Sequence, residues 1–327
     1  MTASTLGGNR LLSQIDFLVF SHVVIDEIEL ANGMVQDPYL GGAGAYAAAG
    51  AALAAGPNRC AIISGVGTDL PVEAKGWLID SGIATAGMPA VDAHTPRTVI
   101  RYHDDGERTE SPRFGLDHFT LSEPEMAMVP ENYQNAKGLY VFKAIDTGFW
   151  TDLRAYRART NCAVLWEIDV AACNPEKRPH VLKQLADVDL LSINQSELDL
   201  LYADQPDLTR VQQVDELRAA GVEEVLLRRG AGGATVFGRG GAFAAAPPPG
   251  ELVDPTGAGN AFGGAYLARW VDTDHKSSEA LAAAMAGSAV TIRQYGPPAV
   301  SHVHRNRFNR LTNQVQEAVH FLEKSIK

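Results

Sequence analysis

From residue 138 onward the chain alternates two kinds of segment, and no other feature restricts its fold as much. Apolar, β-rich runs at 139–142, 163–168, 188–193 and 222–227 are interleaved with stretches of helical pattern at 151–159, 177–186, 195–202 and 210–220. Strands alternating with helices at this spacing predict a parallel sheet with helices on both faces. Sheets of that kind take their ligands at the carboxyl ends of their strands. Polar residues gather at those ends. Lys143 follows the first run, Glu167 and Asp169 end the second, Asn194 and Glu197 end the third, and Arg228 and Arg229 follow the fourth.

The stretch Asp254-Pro-Thr-Gly-Ala-Gly-Asn260-Ala-Phe-Gly supplies the sharpest local signal. Pro255 with glycines at 257 and 259 predicts irregular backbone up to Gly259. Phe262, Tyr266 and Trp270, four residues apart, then mark one face of a helix beginning at Asn260. A helix opened by a glycine turn leaves the amides of Gly257, Ala258, Gly259 and Asn260 aimed at one point, where the helix dipole adds positive charge. An anion fits there. Asn is also a good N-cap, so spacing alone equally allows a structural turn.

The amino-terminal half is more varied. Apolar residues at 15–20 and 23–25 read as a strand whose tip carries Asp26. Gly41, Gly42 and Gly44 open an Ala-rich helix that carries Tyr46, and Gly42, Gly44 and Ala47 satisfy the dinucleotide fingerprint G-x-G-x-x-A. That fingerprint raises a dinucleotide-binding oxidoreductase as a rival. Against it, residues 32–40 with Pro38 do not read as a buried strand, and no ribose-binding acid ends the following strand, which runs into Gly65-Val-Gly67. Residues 65–69 and 72–81 read as a loop and a helix. The alternating run 97–102 followed by Asp104-Asp105-Gly106-Glu107 reads as a hairpin, either an ordinary edge hairpin or, with residues 28–35, part of a small projecting sheet. Near the end, 278–294 predicts a second Ala-rich helix, and Leu311, Val315, Ala318, Val319 and Leu322 trace one face of a last amphipathic helix.

Charge narrows the partners. Lys and Arg number 28 against 39 Asp and Glu, for a net charge of −11. With no basic run, that balance argues against nucleic acid or an anionic membrane as the main partner. Apolar windows fall short of about 18 residues, and residues 1–10 lack the plan of a signal peptide, which points to a cytoplasmic protein. Cys60, Cys162 and Cys173 show no metal-binding spacing and read as reduced thiols.

The turn at 254–262 resembles the carboxyl-terminal signature of the ribokinase-like (PfkB-type) family of sugar and nucleoside kinases, and the resemblance runs over roughly residues 15–300. It implies a single α/β domain over 1–327. The fold would be a ribokinase-like three-layer sandwich, with a mostly parallel central sheet, helices on both faces and a small β lid inserted from about 28–40 and 95–114. The implied activity is transfer of the γ-phosphate of ATP to an alcohol group of a sugar or sugar-like molecule. ATP and Mg2+ would be the cofactors, with K+ as a further candidate.

The resemblance also assigns roles residue by residue. Gly257, Ala258 and Gly259 would form the anion hole, and Asn260 stands where the family carries its catalytic Asp. Asp26 would bind substrate hydroxyls, Gly41 and Gly42 would hinge the lid, and Tyr46 stands where the family often has an Asn that binds the sugar. Asn194, Glu197, Arg228, Gly230, Gly233 and Gly296 would line the nucleotide site. Glu197 would organise magnesium through water, and Asp254 would lie near a monovalent cation. Plain structural readings stand beside these: Asp26 as a turn residue, Glu197 as a carboxylate on a helix dipole, the two arginines as surface charge. Pairing of lids across a homodimer is a further implication.

An amide at position 260 has no useful basicity. Losing a general base costs about 10² to 10⁴ in rate, or roughly 3–5 kcal/mol of barrier. The sequence therefore carries two readings side by side: a kinase with another route for the proton, and a weak or inactive homologue that binds a sugar, nucleoside or nucleotide.

Overall fold

The computed structural model describes residues 14–35, 37–103, 108–145 and 148–322. The expected hairpin turn at 104–107 and the amino-terminal decade lie outside the described residues. In chain order, β1 (Phe17–Phe20), β2 (Val24–Glu29) and β3 (Tyr39–Gly41) lead into α1 (Gly42–Ala55). Next come β4 (Cys60–Ile63), β5 (Val66–Gly67), α2 (Val72–Asp80), β6 (Ile83–Ala84), β7 (Ala90–Asp92), β8 (Arg97–Tyr102), β9 (Arg108–Pro112) and α3 (Asp117–Leu121). The alternating half holds β10 (Gly138–Val141), α4 (Phe149–Thr160), β11 (Ala163–Glu167), α5 (Arg178–Gln184), β12 (Leu190–Asn194), α6 (Gln195–Leu201), α7 (Arg210–Ala219) and β13 (Glu224–Arg228). It closes with β14 (Ala234–Gly238), β15 (Gly241–Ala245), α8 (Ala258–Asp272), α9 (Ser277–Thr291), α10 (His302–Ala318) and β16 (His320–Leu322).

The main sheet runs β16-β15-β14-β13-β12-β11-β10-β1-β4-β6. From β13 to β6 every pairing is parallel, and the strands beyond β13 turn antiparallel. Successive side chains on a strand point to opposite faces. Phe17 and Val19 accordingly enter one core, with α1, α8, α9 and α10, while Leu18 and Phe20 enter the other, with α4 to α7. That is the three-layer sandwich with its mostly parallel sheet.

A second, four-stranded sheet runs β3-β2-β8-β9. Here the structure corrects the sequence reading. Residues 23–25 do not extend β1; after Ser21 and His22 the chain enters β2, so Asp26 sits inside the small sheet and not on the tip of a main strand. Hydrophobicity alone could not show which sheet each half of the run joins. The glycines at 41 and 42 do follow a strand directly, but β3 pairs antiparallel to β2 in the small sheet. A dinucleotide fingerprint needs a parallel βαβ unit, so the oxidoreductase reading loses its context. Leu322 belongs to the edge strand β16, because α10 ends at Ala318.

Helices α1 and α8 cross in close contact. A Cβ built on Gly50 would lie 2.1 Å from the Ala261 carbonyl oxygen, and one on Gly264 would lie 2.0 Å from that of Ala47. Only glycine lets the two backbones touch there. This crossing fixes where α8 begins.

Candidate active site

Helix α8 starts at Ala258, two residues earlier than the sequence suggests, with Gly257 as its N-cap at φ +73°. Glycine adopts that left-handed backbone freely, and Gly259 then fits the first helical turn. Asn260 is therefore a first-turn residue and not the cap. The Ala258 amide is drawn back to the Pro255 carbonyl at 3.3 Å, which leaves the amides of Gly257, Gly259 and Asn260 as the donors at the turn.

The turn is pinned from several sides. Asp254, buried, accepts hydrogen bonds at Oδ1 from the Thr256 amide at 2.9 Å and the Thr256 hydroxyl at 2.7 Å. The amides of Val253 and Asp254 donate to the Ile292 carbonyl at the end of α9, and the Ser288 hydroxyl donates to the Ala258 carbonyl at 2.8 Å. Beneath lies Tyr46, whose ring would meet a Cβ on Gly257 at 2.1 Å. Tyr46 is 2 % exposed. Its ring supports the turn from inside α1 and does not line either of the two cavities described below.

A cluster of charge lies beside the turn. The Arg228 guanidinium rests on Gly259: a Cβ there would meet Nη1 at 1.9 Å. Arg228 pairs with Glu167 and, at 3.7 Å, with Glu197. Glu167 is 4 % exposed, and burial pushes its carboxyl up to about 7, with Arg228 opposing that rise and Glu197 adding to it. Burial likewise raises the Glu197 carboxyl. Asn194 and Glu197 form a capping box: Asn194 Oδ1 accepts from the Glu197 amide at 2.9 Å, and Glu197 Oε2 accepts from the Asn194 amide at 2.7 Å. The Asn260 side-chain NH2 donates to the Tyr140 hydroxyl at 3.0 Å. Tyr140 is wholly buried, and burial together with the Glu167 charge holds its ionisation well above the usual tyrosine range.

A cavity of about 850 Å³ opens from this cluster. It is lined by Asn194, Arg228, Arg229, Gly230 and Gly233, by Ala258 and Gly259 at the start of α8, and by Met285, Ser288 and Ala289 of α9 with Ile292 after it. Gly296 is not part of it. It packs on Tyr39 and lines a separate cavity of about 340 Å³ with Trp77 and Tyr295. The loop after α9 turns toward the small sheet, so Gly296 lies apart from the Arg228 cavity, and Met285, Ser288 and Ala289 of α9, a helix expected from the sequence but not assigned to the site, line that cavity instead.

In the small sheet, Asp26 is buried with its carboxylate against Gly41, where a Cβ would fall 1.8 Å from Oδ2. The buried Lys143 at the end of β10 is paired with Glu123 at 2.7 Å and Glu125 at 3.3 Å. Among the described residues no group of three or more His, Cys, Asp or Glu forms a metal cluster, and no helix is long and apolar enough to cross a membrane. The three cysteines are free and buried.

Comparison with known proteins shows the family and the fold. The sequence pattern of the pfkB family carbohydrate kinases covers residues 16–302. A cytidine kinase of Thermococcus kodakarensis is 28% identical over 266 residues, 78% of this chain and 88% of that protein. Among solved structures, a ribokinase II candidate from E. coli in complex with ATP and Mg2+ superposes with a TM-score of 0.75 at 20% identity, covering 92% of this chain and 99% of that one. An Arabidopsis thaliana ribokinase complexed with ribose and ATP gives 0.68 at 20% identity, covering 91% and 98%. With the ribokinase-like fold and the family pattern both in place over most of its length, this chain belongs to the PfkB family of carbohydrate kinases.

Proposed function

We propose that the protein transfers the γ-phosphoryl group of ATP to an alcohol group of a small sugar-like acceptor, nucleosides included. One observation carries this reading: the amides at the start of a glycine-capped helix and the Arg228 guanidinium meet at Gly259, in the lining of a nucleotide-sized cavity. Phosphoryl transfer asks a protein mainly for positioning and for charge stabilisation. Gly257, Gly259 and Asn260 amides would hold the transferred group, and Arg228 would offset its charge. Asn194 and Glu197 sit one side chain away from Arg228 and would orient waters of a nucleotide-bound magnesium ion, which supplies further charge neutralisation. Asp254 beside the turn is the candidate neighbour of a monovalent cation.

The small sheet would act as a lid. Asp26, on its inner strand, would hold an acceptor hydroxyl, and Gly41 and Gly42 at the sheet-to-helix junction would let the sheet close. Its outer strand β9 would be the surface through which two copies pair. The relative that is a cytidine kinase makes cytidine a first acceptor to try, beside ribose.

A second reading, a binder with little turnover, rests on Asn260, whose NH2 group is committed to Tyr140 and has no basicity to offer. The test is calorimetry for MgATP, and turnover on a panel of sugars and nucleosides, by the parent and by Asn260→Asp. Parent turnover supports the kinase reading. An inert parent that binds MgATP, with an active Asn260→Asp, supports the binder. Failure of both to bind MgATP refutes the site.

A further inference from the structure

The cavity of about 340 Å³ beside the small sheet differs in chemistry from the one at Arg228 and shares no lining residue with it. Three aromatic side chains line it: Tyr39 from β3, Trp77 from α2 and Tyr295 from the loop after α9. The Trp77 indole N–H is buried, so what that side chain shows to solvent is ring. An aromatic ring is negative over its face and attracts a cation placed there.

The rest of the lining offers little to an anion. It contains no Lys or Arg. Pro38, Pro71 and Pro297 have no backbone N–H to donate. His304 sets Nδ1 2.7 Å from the Ala299 carbonyl, which can only accept, so Nδ1 carries the proton and Nε2 of the neutral ring keeps its lone pair. The one carboxylate is Glu73, exposed in the first turn of α2 and without an ion pair among the described residues.

The walls are tied to one another. Tyr39 lies on Gly296, where a Cβ would fall 2.9 Å from its Cδ2, and the Val300 amide donates to the Ser81 hydroxyl at the end of α2 at 3.2 Å. A site built before its ligand arrives loses less on binding. Its volume lies at the lower end of the small-molecule range, roughly 300–1,000 Å³.

We propose that this cavity is a second binding site, for a small organic ammonium ion. The alkylated nitrogen would sit among the rings of Tyr39, Trp77 and Tyr295, with Glu73 balancing its charge. The net charge of −11 adds a long-range attraction. Neither the α8 turn nor Arg228 takes part, so the site does not depend on the kinase reading.

The experiment titrates the full chain with choline and follows tryptophan fluorescence. Of the four tryptophans, Trp150, Trp166 and Trp270 are at most 2 % exposed, so Trp77 is the reporter that a ligand can touch. A saturable response is expected in the parent, and Trp77→Phe should abolish it. Tyr295→Leu should weaken choline by about 2- to 30-fold, the range of one cation–π contact, and Glu73→Gln by about two- to fivefold, as for an exposed charge pair. Both positions are exposed, so neither change endangers the fold. The neutral isostere of choline, with a tert-butyl group in place of the trimethylammonium, should bind more than about tenfold more weakly. MgATP affinity by calorimetry should be parental in both variants. No saturable response in the parent, a response kept in Trp77→Phe, or the same response to KCl at matched ionic strength overturns the site. Equal affinity for the neutral isostere, or parental choline affinity in both Glu73→Gln and Tyr295→Leu, overturns its assignment to an ammonium ion. Choline binding by a protein that does not bind MgATP supports this site and refutes the one at Arg228.

Discussion

Substituting Gly264 by Ala should destabilise the protein, although the position lies inside a helix. By propensity alone, Gly→Ala in a helix interior gains about 1 kcal/mol. At Gly264 the new Cβ would fall 2.0 Å from the Ala47 carbonyl oxygen and 2.8 Å from its carbon. Carbon–oxygen contacts in proteins settle near 3.3 Å or beyond, so α1 and α8 would have to part by roughly 1.3 Å. The obstacle is backbone and cannot rotate aside, which places the cost at the upper end of overpacking, about 3 kcal/mol. The net loss is about 2 kcal/mol, or roughly 4 °C in melting temperature. Gly50→Ala meets the same crossing at the Ala261 carbonyl, so the double variant should lose less than the sum of the two. Gly76→Ala in α2 is the control, since nothing lies within 4 Å of its Cβ position and it should gain the propensity term. Thermal melts of the parent and the four variants, with MgATP calorimetry, read both stability and the placement of the α8 turn. A Gly264→Ala protein that melts at or above the parent refutes the claim that backbone contact sets this crossing.

Other substitutions probe the site. Gly257→Ala faces both a left-handed φ and the Tyr46 ring, and should weaken MgATP binding more than about tenfold, a loss of roughly 1.4 kcal/mol or greater; parental affinity would count against the turn as the phosphate seat. Arg228→Gln removes a charged hydrogen bond to phosphate, worth about 1.5–3 kcal/mol, so calorimetry should show affinity falling by roughly 10- to 100-fold. Glu167 also ties stability to pH. Its folded carboxyl titrates at about 7, above the ordinary 4.5, so the folded state binds the proton more tightly than the unfolded chain does. The resulting stabilisation is fully present below pH 4.5 and is lost as pH rises through 7, to an extent of up to about 3 kcal/mol. Denaturant unfolding at about pH 5 and about pH 8 should show this drop in the parent and a flatter profile in Glu167→Gln; equal slopes would refute it.

The alternating half of the fold was legible because each β run is apolar on both sides, as buried parallel strands must be, and because Gly and Pro mark the turn before α8. Two kinds of feature were not. Tyr140 sits mid-strand among apolar neighbours and reads as core, and its tie to Asn260 spans 120 positions of chain. Long-range pairing leaves no local trace. The division of residues 15–29 between two sheets is equally silent, since both sheets bury Val24 and Ile25 as readily as Phe17 and Leu18. The Asn194 and Glu197 pair shows a third limit: the same spacing that suggests an ion site also builds a capping box, and here the box is made. The place of Gly296, in a cavity apart from that of Arg228, was illegible for a different reason, because the direction of a loop after a helix depends on packing that no motif records.

The cations that end β13 have a kinetic consequence. Arg228 and Arg229 line the cavity of a protein whose net charge is −11. A nucleotide far away meets a repelling field and feels the arginines only within the last Debye length, about 10 Å at 0.1 M salt. Modest salt screens the distant repulsion more than the near attraction. The association rate of ATP should therefore rise with ionic strength while its residence time shortens, the reverse of the steering shown by enzymes whose overall charge attracts their substrate.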